Sequence, residues 1–153
     1  MTKRFKYTFL LILVIVIILT IFFDTNKSAF NEIITFISIA IGFSITSLSI
    51  IATSKFSKNL YKKESKKNNS KTLLHELVDD FQYSIYLFTS TICLILLLKF
   101  INLDEYNLRF WKIELDFIEV LVNFCWSLTI ISIYEFLKLF NLFSKYVIKS
   151  AKE

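Results

Sequence analysis

Proline is missing from the 153 residues, and glycine occurs once, as Gly42. Because these two residues are common sites of helix breaks and kinks, the chain has few places where a helix would bend. A single glycine also leaves no glycine-rich loop to hold a phosphate group. These shortages favour long uninterrupted helices and argue against a phosphate-binding loop.

Residues that could carry chemistry are few: one histidine, His75, and two cysteines, Cys93 and Cys125. His75 has no cysteine or histidine nearby at the spacing of metal ligands, so no metal site is expected. Both cysteines fall within apolar stretches, where a thiol is most simply a packing residue. Since no nucleophile lies beside a base at a catalytic spacing, we expect neither an enzyme nor a cofactor.

What the chain has in abundance is apolar residues, at 55% with 20% charged residues and a mean hydropathy of +0.57. Uncharged blocks alternate with short charged ones, which is typical of multi-span membrane proteins. A bilayer core is about 30 Å thick, and the blocks suited to crossing it as helices are residues 7–23, 33–54, 81–98 and 117–137. The sequence therefore predicts an all-α polytopic membrane protein, with a single domain over residues 1–153 built as a four-transmembrane-helix bundle.

Short amphipathic helices are expected beside these spans. Residues 72–81 place apolar side chains on one side of a helix that Ser70 or Thr72 could cap, and residues 138–153 form an amphipathic tail. Within the fourth span, Glu119 lies near one end and Glu135 near the other. No charge is therefore expected at mid-membrane, which disfavours a pump or a secondary transporter.

The basic residues predict the orientation. Fourteen of the 18 lysines and arginines lie in the amino-terminal start, the segment 55–71 and the carboxyl-terminal tail, which share one side of a four-span chain. The positive-inside rule places that side in the cytoplasm, with both termini. A basic start before an apolar run is also found in signal peptides, but this run is long and lacks a small-residue cleavage site, so we expect it to be retained. The net charge of +5 is explained by topology and by contact with the lipid bilayer, and nucleic-acid binding is not expected.

The second span carries small and polar residues spaced three or four apart, which places them on one helical stripe. We expect this helix to be the centre of the bundle, with the other spans packed around it. Two interpretations of the stripe stay open: close packing between helices, within or between copies, and a hydroxyl-lined pore formed on oligomerisation. The stripe consists of Thr35, Ser38, Gly42, Thr46, Ser49 and Thr53.

Lysines crowd the segment that follows this span. We expect residues 66–71 to be a flexible loop tip, and we expect the basic surface to contact anionic lipid and a cytoplasmic partner. The lysines are Lys55, Lys58, Lys62, Lys63, Lys66, Lys67 and Lys71.

The stretch ISIAIGFSITSLSIIATS, followed by a lysine-rich loop and two further spans, resembles small four-span membrane proteins of bacterial anti-phage defence loci. The resemblance implies an inner-membrane effector that homo-oligomerises and perturbs the membrane. The better-defined members carry an appended soluble sensing domain that this sequence lacks. The trigger is therefore expected to come from a cytoplasmic sensor or effector protein.

Two other classes of protein share this layout. Small basic four-span proteins also protect cells against membrane-active peptides, and others anchor or stabilise a larger membrane complex. An activated effector should be toxic when it is expressed. An immunity protein should be harmless and protective, and a subunit should be unstable without its complex.

Overall fold

The computed structural model describes residues 28–64, 71–100 and 117–150, together with Tyr7, residues 10–12 and 14–16, and Ile18 of the first apolar segment. The side chains of Phe56 and of residues 117–119 are outside this description, and so is the whole of residues 65–70. The predictions made for Lys66, Lys67 and the loop tip, for the position of Glu119 and for most of the amino-terminal start therefore lie outside the described residues.

Four helices account for most of the described chain: α1 (Phe30–Thr53), α2 (Lys55–Lys62), α3 (Leu73–Phe100) and α4 (Phe117–Ser150). The described residues of the first apolar segment are helical as well. Among the described residues, α1, α3 and α4 are long and apolar enough to cross a membrane. The all-helical fold is confirmed at this level.

Local sequence explains where the helices begin and end. At Ser54 the backbone becomes extended, which ends α1 and begins the short lysine-bearing α2. Beyond α2, the carbonyl of Lys63 accepts a 2.9 Å hydrogen bond from the backbone N–H of Leu73, and Glu64 forms an isolated antiparallel bridge with Thr72. The end of α2 and the start of α3 are therefore held side by side.

Contacts at the ends of the helices establish the chain directions. Lys99 at the end of α3 hydrogen-bonds Asn31 at the start of α1, so these helices are antiparallel. The rings of Phe30 and Trp126 lie 6.5 Å apart near the beginnings of α1 and α4, and those of Phe43 and Phe140 lie 5.6 Å apart further along both helices. Helices α1 and α4 therefore run parallel, with α3 antiparallel to both.

Helix α1 is the least buried of the three long helices, which corrects the expectation that the second span is the centre of the bundle. In the most apolar 18-residue window of each helix, 28% of the residues are buried in α1, 33% in α3 and 50% in α4. The physical reason is that α3 and α4 pack on each other, on α1 and on the first apolar segment, where Ile12, Leu87 and Leu128 share one cluster. Helix α1 lies at the edge of the described bundle.

The carboxyl-terminal tail is helical and packs on the rest of the chain. Residues 138–150 continue α4 without a break, giving a helix of 34 residues. Leu139 is only 1% exposed, and it packs with Ile51 of α1, Leu60 of α2 and Phe81 of α3. Much of the apolar side of the tail is therefore covered by the chain itself, although Phe140 and Val147 stay exposed.

Candidate functional site

Helix α1 has two opposite faces. Its packed face consists of residues spaced three or four apart, and these are buried against α3 and α4 (Phe30, Ile33, Ile37, Ala40, Ser44, Ser47 and Ile51). At 100° per residue, the predicted stripe falls about half a turn away from that face. All six stripe residues are exposed in the single chain. The structure therefore brings them together on one surface, and this surface takes no part in packing among the described helices.

Four of the five hydroxyl groups of this surface, those of Thr35, Ser38, Thr46 and Thr53, bond to their own helix. Thr35 donates to the carbonyl of Asn31 at 3.0 Å, and Ser38 to that of Ile34 at 2.8 Å. Thr46 donates in the same way to the carbonyl of Gly42 at 2.8 Å. These protons are thus satisfied without water, so the face can enter an apolar environment at little cost, while the oxygens can still accept a bond from a neighbouring helix.

Gly42 leaves a notch in the middle of this face. A methyl group added at its Cα would have no atom of the surrounding chain within 4 Å. On both sides of the stripe stand large apolar side chains, with Ile39 65%, Ile45 53% and Ile50 51% exposed. A shallow strip of small residues bordered by isoleucines has the shape that admits the backbone of a second helix.

The lysine segment is partly helical. Lys55, Lys58 and Lys62 of α2 and the following Lys63 are all exposed, while Leu60 is buried at 2% exposure against α3. Leu60 therefore anchors the segment and leaves its charges outside. Lys71 is paired with Asp79 of α3 on the same surface.

Thr72 caps helix α3, as expected. Its carbonyl accepts a bond from the N–H of Glu76 at 3.1 Å, and its side-chain oxygen accepts a longer one from the N–H of His75 at 3.4 Å. The ring of His75 contacts the hydroxyl of Thr72 at 2.7 Å and lies 5.8 Å from the ring of Tyr61. Across the described parts of the chain, no three His, Cys, Asp or Glu side chains come together in a way that could hold a metal ion. Cys93 and Cys125 are both free thiols.

Sequence reasoning missed a charged pair in α4. Glu135 is 6% exposed, and Lys138 approaches its two carboxylate oxygens at 3.2 and 3.5 Å. A neighbouring contact shows which part of α3 lies beside the pair, because the hydroxyls of Ser132 and Thr91 lie 3.2 Å apart.

Thr91 is close to the middle of the uncharged stretch 81–98 of α3. A helix rises about 1.5 Å per residue, so along α4 Glu135 lies about 5 Å and Lys138 about 9 Å beyond Ser132. Because α3 is antiparallel to α4, this direction leads from Thr91 toward Phe81, which lies about 15 Å from Thr91 along α3. Both charges thus lie level with the uncharged stretch 81–98 of α3.

The sequence shows that Glu135 lies two residues before the end of the predicted span at residue 137. It does not show which part of α3 packs beside Glu135, and for that reason the pair was missed. The signal that could have found the pair is the Glu135-x-x-Lys138 spacing, which joins opposite charges one turn apart inside an otherwise apolar sequence. An ionisable pair within an apolar span is costly and commonly functional.

Other polar side chains share the interior with this pair. In the described part of the bundle every buried side-chain nitrogen or oxygen has a hydrogen-bond partner. Ser84, for example, donates to the carbonyl of Asp80 at 3.0 Å, and Thr129 to that of Cys125 at 2.9 Å. The interior is therefore satisfied and close-packed, and the buried polar residues are Ser44, Ser47, Ser84, Thr91, Asn123, Ser127, Thr129, Ser132 and Glu135.

Comparisons of the chain with protein-family models, with curated proteins and with solved structures gave no match.

Proposed function

We propose that this chain is a bacterial inner-membrane protein with four spans and both termini in the cytoplasm. In this proposal it is a non-enzymatic effector of an anti-phage defence system. Copies of the chain associate through the exposed stripe of α1 and perturb the membrane when a cytoplasmic partner triggers them.

The exposed stripe carries this proposal. Inside lipid, burial of apolar surface gives helices no reason to associate, and close approach of small residues is a principal substitute. Helix α1 turns its packed face inward and its Gly42 notch outward, with the bordering isoleucines able to fit beside a facing helix. A second copy presents the same strip, and a self-complementary surface of this kind is what a two-fold interface requires.

A fourth span is supported by the first apolar segment. Its described residues are helical, and Ile12, Ile15 and Val16 pack on α3 and α4 in the cluster that includes Leu128. A helix there would place the basic start on the same side as α2 and the tail, in agreement with the positive-inside rule.

The partner is proposed to dock on the lysine segment. Exposed lysines near an anionic leaflet contribute on the order of 1 kcal/mol each to membrane attraction, so α2 is held at the surface until a competitor displaces it. An acidic protein surface, or a charged ligand carried by the partner, has the chemistry to do so.

Expression in a bacterial host tests the effector role. We expect high-level expression of the wild-type chain to arrest growth and to admit a membrane-impermeant dye, because high concentration drives association without the trigger. Gly42→Leu fills the notch and should abolish both effects at equal membrane levels. Ile39→Leu is the matched control, since this exposed side chain borders the stripe without filling it.

If the wild-type chain is harmless and protects cells from a membrane-active peptide, its function is immunity and not that of an effector. A chain degraded unless its neighbouring genes are present would indicate an accessory subunit. Equal toxicity of wild type and Gly42→Leu would remove the stripe from the mechanism.

A further inference from the structure

A groove lies between α2 and the beginning of α3. Its volume is about 370 Å³, and Ser57, Lys58, Tyr61, Lys62 and Leu74 line it. Lys58 and Lys62 are four residues apart on α2, so their side chains leave the helix on the same face. The groove therefore has two ammonium groups on its α2 wall and the apolar side chain of Leu74 on its α3 wall.

We propose that this groove binds the terminal phosphate group of an anionic lipid, a phosphate monoester such as phosphatidic acid, through the ammonium groups of Lys58 and Lys62. This binding rests on the membrane placement in the proposed function. It is independent of the effector role, because it needs only one copy of the chain.

The chain does not neutralise the positive charge of the groove. Helix α2 contains lysines and no acidic residue. Within the described residues, neither Lys58 nor Lys62 forms an ion pair with a carboxylate. Asp79, an exposed carboxylate of α3, is already paired with Lys71. An anion that enters the groove therefore meets two ammonium groups whose charges are not compensated.

A terminal phosphate matches these groups in charge and in shape. A phosphate monoester carries a charge of about −1.5 to −2 near pH 7 and presents three acceptor oxygens, whereas each ammonium group donates up to three hydrogen bonds. Ser57 supplies no donor, because its hydroxyl donates to the carbonyl of Ser54 at 2.8 Å. The two lysines therefore carry the recognition of the anion.

The backbone of α2 is held in place beside α3. Leu60 is only 2% exposed and packs with Leu77 of α3, and the N–H of Leu73 donates to the carbonyl of Lys63 at 2.9 Å. These contacts fix the helix that carries both groove lysines. The site therefore differs from a flexible basic loop, whose attraction for an anionic surface depends only on its total charge.

The depth of the groove favours a lipid phosphate over a soluble phosphate compound. Leu60 shares one cluster with Ile51, near the end of α1, and with Phe81, the first residue of the uncharged stretch 81–98. Helix α2 thus lies level with the edge of the apolar spans, where lipid headgroups begin. Tyr61 lines the groove and is 58% exposed, and aromatic side chains of this kind are enriched at headgroup depth.

Native mass spectrometry of the purified full-length chain in a neutral detergent tests the site by counting bound molecules of phosphatidic acid. We expect one to bind to wild type. The double variant Lys58→Gln with Lys62→Gln should weaken that affinity by roughly ten-fold or more, because it removes two charge-assisted hydrogen bonds.

The matched control is the double variant Lys55→Gln with Lys63→Gln. It removes the same charge from exposed positions that do not line the groove, so it should bind phosphatidic acid as wild type does. Gly42→Leu should also bind as wild type does, so a failure of assembly through α1 leaves this result unchanged.

Three results would overturn the proposal. Equal weakening by the two double variants would show a diffuse attraction to the basic segment and no site. Equal affinity for phosphatidylglycerol, whose phosphate is a diester, would show that a terminal phosphate is not recognised. Displacement of phosphatidic acid by an equal concentration of glycerol phosphate would identify a soluble phosphate compound as the ligand.

Discussion

Single polar side chains in an apolar interior must find partners, because lipid offers none. In α4 the hydroxyls do so mostly within their own helix, as Thr129 does with the carbonyl of Cys125. The contact between Thr91 and Ser132 is different, since it joins two helices at 3.2 Å. This bond is a polar link between α3 and α4 that a pair of mutations can isolate.

A double-mutant cycle measures that bond. We expect Thr91→Val and Ser132→Ala to be coupled by about 0.6 kcal/mol, the typical strength of a hydrogen bond between membrane helices. Reversible unfolding in mixed micelles gives the four free energies of unfolding. Ser90→Ala combined with Ser132→Ala is the control, because the Ser90 hydroxyl is exposed and donates to the carbonyl of Leu87. Additive effects of Thr91→Val and Ser132→Ala would show that the two hydroxyls do not interact.

At the scale of elements, the pattern of α1 was readable from sequence but its direction was not. Spacing alone placed Ser38 and Gly42 on one stripe, and the structure agrees. Whether that stripe faces inward depends on how well the side chains of the opposite face pack in the core. The opposite face presents Ile33, Ile37 and Ile51, and these fill the core against α3 and α4 better than hydroxyls do.

The same limit applies to the end of α4. Residues 138–150 are amphipathic, and such a sequence fits equally well on a membrane surface and on another helix. The choice was made by Ile51, Leu60 and Phe81, which come from three other elements and meet Leu139 only in the folded chain. Periodicity holds no information about those distant partners.

The stripe of α1 makes a prediction about mechanism through Ser49. If the stripe packs against a second helix, Ser49→Ala removes one hydroxyl and should change neither assembly nor leak by more than about three-fold, the effect of a bond worth about 0.6 kcal/mol. Single-channel recording in planar bilayers, with crosslinking in parallel, is the measurement. A changed conductance with assembly intact would indicate a hydroxyl-lined pore instead.

Helix α2 and its lysines make a second prediction at this scale. Replacing Lys62, Lys63, Lys66 and Lys67 with glutamine should weaken partner recovery several-fold and leave membrane insertion unchanged. Leu60 still anchors the segment in that variant, so a loss reports charge and not unfolding. Co-purification of partners from the native host is the readout. If the same amount of partner is recovered with the variant, the lysines serve only as a topology signal.

For the whole molecule, composition alone predicted long apolar helices. Uncharged blocks and clustered charges predicted apolar helices, and three are long and apolar enough to cross a membrane among the described residues. Packing among them is set by side-chain shape, which composition does not contain. The arrangement in which α3 and α4 pack on each other and α1 presents one open face therefore required the structure.

The orientation of the whole chain is open to cysteine labelling. Single cysteines placed near Lys27 and Asn107 should react with a membrane-impermeant maleimide added to intact cells, because both belong to the predicted outer links. Cysteines near Asn68 and Lys152 should react only after the membrane is permeabilised. Strong labelling at Asn68 in intact cells would contradict the predicted orientation.

The central claim is that two copies of the chain meet through the stripe of α1. Disulfide crosslinking in native membranes tests it directly, in a background with Cys93→Ala and Cys125→Ala. Ser38→Cys and Thr46→Cys should each give a crosslinked dimer under mild oxidation, because residues near a two-fold axis face their own copies. Ile37→Cys, on the packed face, should give none. Crosslinking that is absent from both stripe positions, or that is equal at all three positions, would contradict the account.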